Sequence, residues 1–415
     1  MSGAIDEATY DDLRLRQWLA GRARGFSRRT LFRLSAAVGA AAVAGSAVAP
    51  GSAAAEPGGP IVKPLPPELF TVFGSNAEMR WSAMRVQGYL VPIDRFFVRN
   101  HTSTPIIDAD TWRLSVTGAG LRGGPADFTL AELRRLPSET LTATVECAGN
   151  GRSFFTTQQN QTVTGTAWHL GAVGVARWRG VRLSTVLRRA GLSRRAVDVM
   201  ASGLDPNYVT GGVDLGPVRR PMPIEKALDD VLLAYEMNGE PLPSDHGHPV
   251  RLVVPHWIGI ASIKWVGRIE VSDEPLFSPW NTQFYRLFGP GYPDEGQPFD
   301  RQVIKSAFEM DLGAGVPAGR SVRLTGRSWS AGGPIKHVDV STDGGLSWRR
   351  AQLVGGCAAG AWQRWALDWC PTAGGHELLA RATDVRGNTQ PDVARYNTLG
   401  YLFDAVVRHP VTAAA

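Results

Sequence analysis

Apolar and polar positions follow two different patterns along this 415-residue chain, and the change comes near residue 300. Before it, short apolar runs such as Trp112–Val116 and Thr142–Val145 are typical of strands, whereas Leu130–Leu136 and Leu183–Ala190 carry brief helical patterns. Turn-forming residues flank these runs. The pattern predicts one α+β domain over residues 56–300.

After residue 300 the chain carries evenly spaced strand patterns and no helical period. Turn-forming residues such as Asp343–Gly345 separate the strands. An all-β sandwich of the immunoglobulin type is therefore predicted over residues 301–415. The strand patterns are Ser321–Thr325, His337–Ser341, Trp365–Trp369 and Glu377–Thr383.

The N-terminal residues 1–55 have the pattern of an export signal. Paired arginines, Arg28 and Arg29, precede an Ala/Gly-rich apolar run, Leu34–Val48, and small residues follow at Ala53–Ala55. The run is short for a membrane span, so a cleaved signal is favoured over a retained anchor. We expect export by the twin-arginine route to the periplasm, the cell envelope or the exterior. Because that route carries folded proteins, a cofactor inserted before export is also expected.

Composition narrows the function classes. Residues 1–55 hold seven arginines and four acidic residues, so without them the net charge falls from +6 to +3, which gives no argument for nucleic-acid binding. Three cysteines exclude a disulfide scaffold and leave no c-type haem motif. Cys357 and Cys370 either pair in an oxidising compartment or stay free, and spacing does not decide between these outcomes.

Cys147 is the candidate metal ligand. It lies in the run Thr144–Arg152, where small residues and an arginine surround a single cysteine. A thiolate is a soft ligand for a redox metal, and the arginine offers an anion-binding group beside it. The alternative interpretation is a buried, inert cysteine at the end of a strand.

Several separated motifs, in order, resemble the sulfite oxidase family of molybdopterin-dependent oxidoreductases. Cys147–Arg152 and Phe97–His101 resemble its molybdenum-binding domain, and the sandwich resembles its dimerisation domain, so that the similarity covers residues 70–410. Further matching motifs are Gly203–Asp205, Leu233–Gly239, Asp245–Arg251 and Ser262–Trp265.

The resemblance implies a molybdenum–molybdopterin cofactor with Cys147 as the metal's protein ligand. It assigns Arg251 and Lys264 to the cofactor's phosphate. His246 and His248 could instead chelate zinc, but the sequence offers no evident third ligand. No haem segment is recognisable, so we expect no haem in this chain. The full set of expected cofactor-binding residues is Phe97, Val98, Arg99, Asn100, His101, Asp205, His246, Arg251, Ser262, Ile263 and Lys264.

The implied activity is oxidation of sulfite to sulfate by oxygen-atom transfer. Arg99 and Arg152 would bind the oxyanion, Trp168 would form a pocket wall, and Tyr285 would orient an oxygen. Electrons would pass to an external acceptor such as a c-type cytochrome. A molybdopterin reductase acting on a sulfoxide or another small oxo substrate is the alternative. A non-enzymatic adhesion or carbohydrate-binding protein would explain the sandwich alone.

Two departures from the family pattern leave the substrate open. Gly151 and Leu399 stand where we align family arginines, so a less charged oxyanion is also compatible with the sequence. The resemblance further implies a homodimer through the C-terminal domain. That domain holds many tryptophans, which either supply a dimer surface or fill the core: Trp329, Trp348, Trp362, Trp365 and Trp369.

Overall fold

The computed structural model describes residues 16, 60–85, 87–358 and 360–414, and the expected export signal at residues 1–55 lies outside them apart from Arg16. Strands dominate. They are β1 (Phe70–Phe73), β2 (Asn76–Met79), β3 (Val98–Arg99), β4 (Arg113–Thr117), β5 (Ala126–Thr129), β6 (Ser138–Glu146), β7 (Val173–Arg182), β8 (Asp198–Gly203), β9 (Val209–Thr210), β10 (Val213–Asp214), β11 (Arg219–Pro223), β12 (Leu232–Met237), β13 (Glu240–Pro241), β14 (Arg251–Val253), β15 (Val266–Ser272), β16 (Arg286–Leu287), β17 (Gln297–Pro298), β18 (Lys305–Phe308), β19 (Gly315–Pro317), β20 (Val322–Trp329), β21 (Ile335–Ser341), β22 (Arg349–Arg350), β23 (Gln352–Val354), β24 (Gln363–Trp369), β25 (Gly374–Asp384) and β26 (His409–Ala414).

Helices are short and lie within the first 300 residues of the described chain. The α-helices are α1 (Leu130–Arg135), α2 (Arg152–Thr157), α3 (Leu183–Arg189), α4 (Ile224–Asp229) and α5 (Pro279–Thr282), and the 3₁₀ helices are Trp81–Met84, Ile93–Arg95, Ser244–His246 and Gly259–Ala261. Within the described ranges, no helix has the length and hydropathy that crossing a bilayer requires.

The two largest sheets of the first domain have strand orders β11-β8-β15-β4-β5, in which β15 and β4 are parallel, and β13-β12-β7-β6, in which all neighbours are antiparallel. The long β6–β7 pair runs in continuous antiparallel register from Ser138 opposite Val181 to Glu146 opposite Val173. Helix α1 begins at a capping box in which Thr129 and Glu132 exchange side-chain and backbone hydrogen bonds. The α+β prediction is confirmed, because the expected strands and both expected helices are present.

The C-terminal domain is a sandwich of two sheets, with strand orders β18-β20-β24-β23 and β19-β26-β25-β21-β22. Leu324 and Leu367 from one sheet and Val338 and Ala380 from the other share one buried core. The all-β sandwich is thus confirmed, and its immunoglobulin type stays a prediction.

The C-terminal tryptophans mostly fill cores. Trp365 and Trp369 belong to the sandwich core, while Trp329 and Trp362 pack with Trp81 in a core shared with the first domain. Trp348 is half-buried beneath the Arg381 guanidinium. These side chains are therefore no argument for a dimer surface.

After β25 the chain returns to the first domain before forming β26. Leu402 donates its backbone N–H to the Ala148 carbonyl at 2.9 Å, and Thr164 donates to the Thr398 carbonyl at 3.2 Å. The Tyr396 hydroxyl donates to the Thr162 carbonyl. A segment beyond residue 300 consequently lies against the Cys147 turn and helps to build the site.

Candidate active site

Cys147 follows the last residue of β6, in a tight turn that leads into α2. Its N–H donates to the Ala172 carbonyl at 2.9 Å, and its own carbonyl accepts from the Asn150 N–H at 2.9 Å. The side chain is 8% exposed. Two cavities meet here, since Cys147, Arg99 and Tyr285 line both of them. We call these the His246 cavity and the Trp168 cavity.

The His246 cavity collects most of the residues expected to bind the cofactor. Loops and strand ends from both halves of the first domain supply them. They are Phe97, Arg99, Asn100, His101, Cys147, Asp205, His246, Arg251, Ser262, Ile263 and Lys264. Val98 is the exception: it points away and packs in a small core with Ile61 and Phe70, so its side chain is not a cavity residue.

Arg251 and Lys264 are buried cations in this cavity. Arg251 donates to the backbone carbonyls of Leu252, His246 and Ser262. It forms no ion pair with a carboxylate of the described chain. Burial lowers the pKa of Arg251 to about 9. Burial, with the charge of Arg251 second, holds the pKa of Lys264 well below its usual range. Both cations would gain from a buried anion such as a phosphate.

His246 offers an unused polar atom. Its Nε2 is buried and has no hydrogen-bond partner among the described residues. Burial, together with the charges of Lys63 and Lys264, holds the pKa of His246 well below its usual range. At Gly259, which also lines the cavity, an added Cβ would lie 2.8 Å from the Glu146 carbonyl oxygen. Buried cations and a free imidazole nitrogen fit a cofactor with a phosphate and a polar ring.

His101 positions Arg99. The Nε2 atom of His101 lies 3.0 Å from Nη2 of Arg99 and accepts from the Trp280 indole N–H at 3.1 Å. Both neighbours are donors, so the imidazole is neutral and carries its proton on Nδ1. Burial and the Arg99 charge likewise keep the pKa of His101 well below its usual range. Trp280 is therefore part of this arrangement.

Asn100 and Asp205 are held by neighbours beside the cavity. Asn100 accepts from the Lys264 ammonium and donates to the Thr104 hydroxyl at 3.0 Å. Asp205 accepts from the Thr102 hydroxyl at 3.1 Å, and burial raises its pKa. Asn100 thus acts mainly by placing the Lys264 ammonium.

Asp245 is a site residue that the sequence reasoning did not single out. Its buried carboxylate accepts from the backbone N–H groups of Val62 and Lys63 and from the Thr104 hydroxyl at 2.6 Å. Its carbonyl accepts from the Lys264 ammonium at 2.8 Å. Asp245 therefore ties the start of the described chain to the cavity. The sequence did contain a signal for this residue, because Asp245 directly precedes His246 in the motif Asp245–Arg251.

Zinc chelation by His246 and His248, the alternative considered in the sequence, gains no third ligand among the described residues. His248 places Nδ1 3.1 Å from the Leu242 carbonyl. In the described part of the chain, no group of three or more His, Cys, Asp or Glu side chains is arranged to hold a metal ion. All three cysteines are free, so the structure contains no Cys357–Cys370 disulfide.

The Trp168 cavity contains both expected anion-binding arginines. Arg152 lies on the face of Tyr401, 5.2 Å from the ring centroid, and donates to the carbonyls of Leu399 and Thr166. Trp168 is fully buried and lines the wall of this cavity. Part of the Arg152 guanidinium is thus committed to the backbone, and the remainder is available to a ligand.

Tyr285 lies where the two cavities meet and stacks on Tyr401 with ring centroids 5.3 Å apart. Burial raises the pKa of the Tyr285 phenol well above its usual value. Burial lowers the pKa of Arg99, but the neighbouring Tyr285, Cys147, Tyr401 and Tyr208 together raise it by more. The phenol thus remains a neutral hydroxyl beside a permanent cation.

The two positions that the sequence aligns with family arginines, Gly151 and Leu399, have different environments. Gly151 has φ +94°, and an added Cβ would lie 3.0 Å from Cβ of Phe403. A side chain there is strained, so the missing cation cannot simply be restored at residue 151. The Leu399 side chain lines the Trp168 cavity, and its carbonyl accepts from Arg152 at 2.8 Å.

A buried network, which we call the Glu146 clamp, fixes the Cys147 turn to the C-terminal domain. Lys305 Nζ lies 2.7 Å from Oε1 of Glu146 and donates to the Asn150 carbonyl at 2.8 Å. The Trp329 indole donates to the other Glu146 oxygen at 3.0 Å. Asn150 Nδ2 donates to Glu146 Oε1 at 3.0 Å. Both domains are therefore needed to hold the residues that flank Cys147.

Comparison with known proteins matches both domains to families of molybdopterin-dependent oxidoreductases. Residues 101–280 match the family described as oxidoreductase molybdopterin binding domain, and residues 304–413 match the Mo-co oxidoreductase dimerisation domain. The chain is 39% identical to mitochondrial sulfite oxidase of Homo sapiens over 82% of its own length and 62% of that protein's. It is 33% identical to sulfite oxidase of Arabidopsis thaliana, covering 76% of this chain and 86% of the plant protein.

A solved structure has the same architecture. The sulfane dehydrogenase SoxCD of Paracoccus pantotrophus superposes with a TM-score of 0.69 at 27% identity, covering 85% of this chain and 88% of that one. The match spans both domains. The chain thus spans about three fifths of the human relative and most of the plant and bacterial ones.

Proposed function

The chain belongs to the sulfite oxidase family of molybdopterin-binding oxidoreductases, and on that premise we propose that it oxidises sulfite to sulfate. The observation that carries the proposal is the position of Cys147. Its side chain lies where a cavity of buried cations suited to the cofactor meets a cavity that presents two arginines. A soft metal ligand between a cofactor site and an anion site suits oxidation of a small oxyanion.

The residues have different roles according to the cavity that they line. Arg251, Lys264 and His246 would hold the cofactor, with Cys147 as the protein ligand of its metal. When bound, the cofactor supplies a redox metal that takes two electrons from the substrate. Arg99 and Arg152 bind and orient the oxyanion from the other cavity, and Tyr285 donates a hydrogen bond from its neutral hydroxyl. The electron acceptor is external, and a c-type cytochrome is our proposal.

The test is an elemental and kinetic measurement on the purified, exported protein. We expect about one molybdenum per chain, and sulfite-dependent reduction of ferricyanide or cytochrome c. A protein with molybdenum but no sulfite-dependent reduction would refute the sulfite assignment and leave the cofactor assignment intact. A folded protein without bound molybdenum would refute both.

Export by the twin-arginine route is part of the proposal. The support is the sequence pattern around Arg28 and Arg29. Replacing both by lysine keeps the charge but should retain the protein in the cytoplasm, as measured by fractionation and immunoblotting. Equal export of this variant and the wild type would show that the segment directs export by another route.

We also propose a homodimer formed through the C-terminal domain. Its support is the match of residues 304–413 to a dimerisation domain, since the tryptophans are largely committed to cores. The mass measured by light scattering at micromolar concentration tests this assembly directly.

A further inference from the structure

The Trp168 cavity is larger than sulfite needs. Its volume is about 380 Å³. Small-molecule sites commonly have volumes of about 300–1,000 Å³, and one liquid water occupies about 30 Å³. A single sulfur with its oxygens therefore fills a small part of this space. The remainder is available to a substituent on that sulfur.

Two guanidinium groups supply the positive charge of the cavity. Arg99 and Arg152 are the charged residues among the described side chains that line it. Arg99 already contacts His101, and Arg152 already donates to two backbone carbonyls. These donors are not open to a ligand, and a headgroup with two oxygens needs fewer of the remaining donors than one with three.

The rest of the lining is uncharged and partly apolar. Val213, Leu215, Phe284 and Leu399 supply apolar surface, and the threonine side chains beside them combine a methyl group with a hydroxyl. An apolar substituent gains from leaving water for such a wall, whereas a second anionic oxygen does not. The cavity thus offers a cationic region near Cys147 together with apolar surface.

We propose that the Trp168 cavity accepts organic sulfinates, R–SO₂⁻, and that the protein oxidises them to sulfonates. This inference rests on the proposed function, because a sulfinate keeps the sulfur lone pair of sulfite and replaces one oxygen by an organic group. In the balanced reaction, R–SO₂⁻ and water give R–SO₃⁻, two protons and two electrons. The sulfur lone pair forms the new S–O bond, water supplies the oxygen, and an external one-electron acceptor takes the electrons in two steps.

The experiment compares sulfite, methanesulfinate and benzenesulfinate with the molybdenum-loaded protein and ferricyanide. We expect both sulfinates to be oxidised, benzenesulfinate with the higher kcat/KM, and ¹⁸O from labelled water to appear in the sulfonate. Leu399→Arg adds a cation to the wall, and should lower kcat/KM for benzenesulfinate and raise it for sulfite by about tenfold each. Leu346→Arg is the matched control, because Leu346 is 90% exposed and lies outside the cavity.

Equilibrium binding gives a readout without turnover. Calorimetry should show that benzenesulfonate binds to the wild-type protein more tightly than sulfate, and that Leu399→Arg reverses this order while Leu346→Arg does not. Sulfite oxidation with neither sulfinate turnover nor benzenesulfonate binding would overturn this inference alone. Absence of sulfite oxidation, sulfinate turnover and benzenesulfonate binding together would overturn the proposed function as well. Sulfinate oxidation without sulfite oxidation would support the inference and replace sulfite as the substrate. The wild-type comparisons decide the question even if the arginine variant does not fold.

Discussion

Replacing Cys147 by serine is expected to leave the protein folded and to lower sulfite turnover by more than about a hundredfold. Changes to groups that only orient a metal's ligands already cost about 10–100-fold in affinity or activity, and Cys147 is the proposed ligand itself. Oxygen is a harder ligand than sulfur, so the metal's electronic properties change. The substitution is nearly isosteric in a site 8% exposed, so the turn should be retained.

Cys370→Ser is the matched control for this variant. It makes the same chemical change at a free, exposed cysteine in the C-terminal domain, and should leave kcat and KM unchanged. Steady-state kinetics, thermal unfolding and molybdenum content of the two variants should be measured together. Wild-type turnover by Cys147→Ser would refute the ligand assignment. Equal losses in both variants would point to general damage.

Local sequence patterns predicted much of the architecture, whereas the expected residues of the central cavity came from the family resemblance. The helical patterns at residues 130–136 and 183–190 became α1 and α3, because apolar periodicity and capping act within a few residues. Most of the expected cofactor residues line one cavity. The Val98 side chain points away from the cavity because it follows Phe97 on an extended segment, where successive side chains point to opposite sides.

Contacts between residues that are far apart in the chain could not be predicted from the sequence. Lys305 and Glu146 are 159 positions apart and belong to different domains. Neither lies in a sequence motif that predicts its partner. The sequence does not reveal that Gly151 has φ +94°. From the sequence alone, a glycine at this position therefore indicates a difference in substrate and not a backbone requirement. For Trp329 the sequence left a dimer surface and a core position open, and the structure places its indole N–H on Glu146 in the Glu146 clamp.

Replacing Lys305 by methionine should be among the most damaging single changes outside the two cavities. The Lys305 and Glu146 side chains are 3% and 1% exposed, so the variant leaves a buried carboxylate without its counterion. Breaking such a pair costs about 3–5 kcal/mol, whereas an exposed pair contributes about 0–1 kcal/mol. Arg323→Met supplies the comparison, because Arg323 and Asp368 form an ion pair in the same domain with side chains 52% and 62% exposed.

The Glu146 clamp should also control the Cys147 turn, because Lys305 Nζ binds the Asn150 carbonyl as well as the carboxylate. In cofactor-free protein, Lys305→Met should therefore raise the alkylation rate of the Cys147 thiol, in a Cys357→Ser, Cys370→Ser background where it is the remaining cysteine. Adding Glu146→Gln removes the orphaned charge and should recover part of the unfolding free energy, since an amide oxygen can still accept from Trp329. It cannot replace the bond from Lys305 to Asn150, so fast alkylation should persist. A Lys305→Met variant as stable as Arg323→Met, with unchanged alkylation, would show that the clamp holds neither the domains nor the turn.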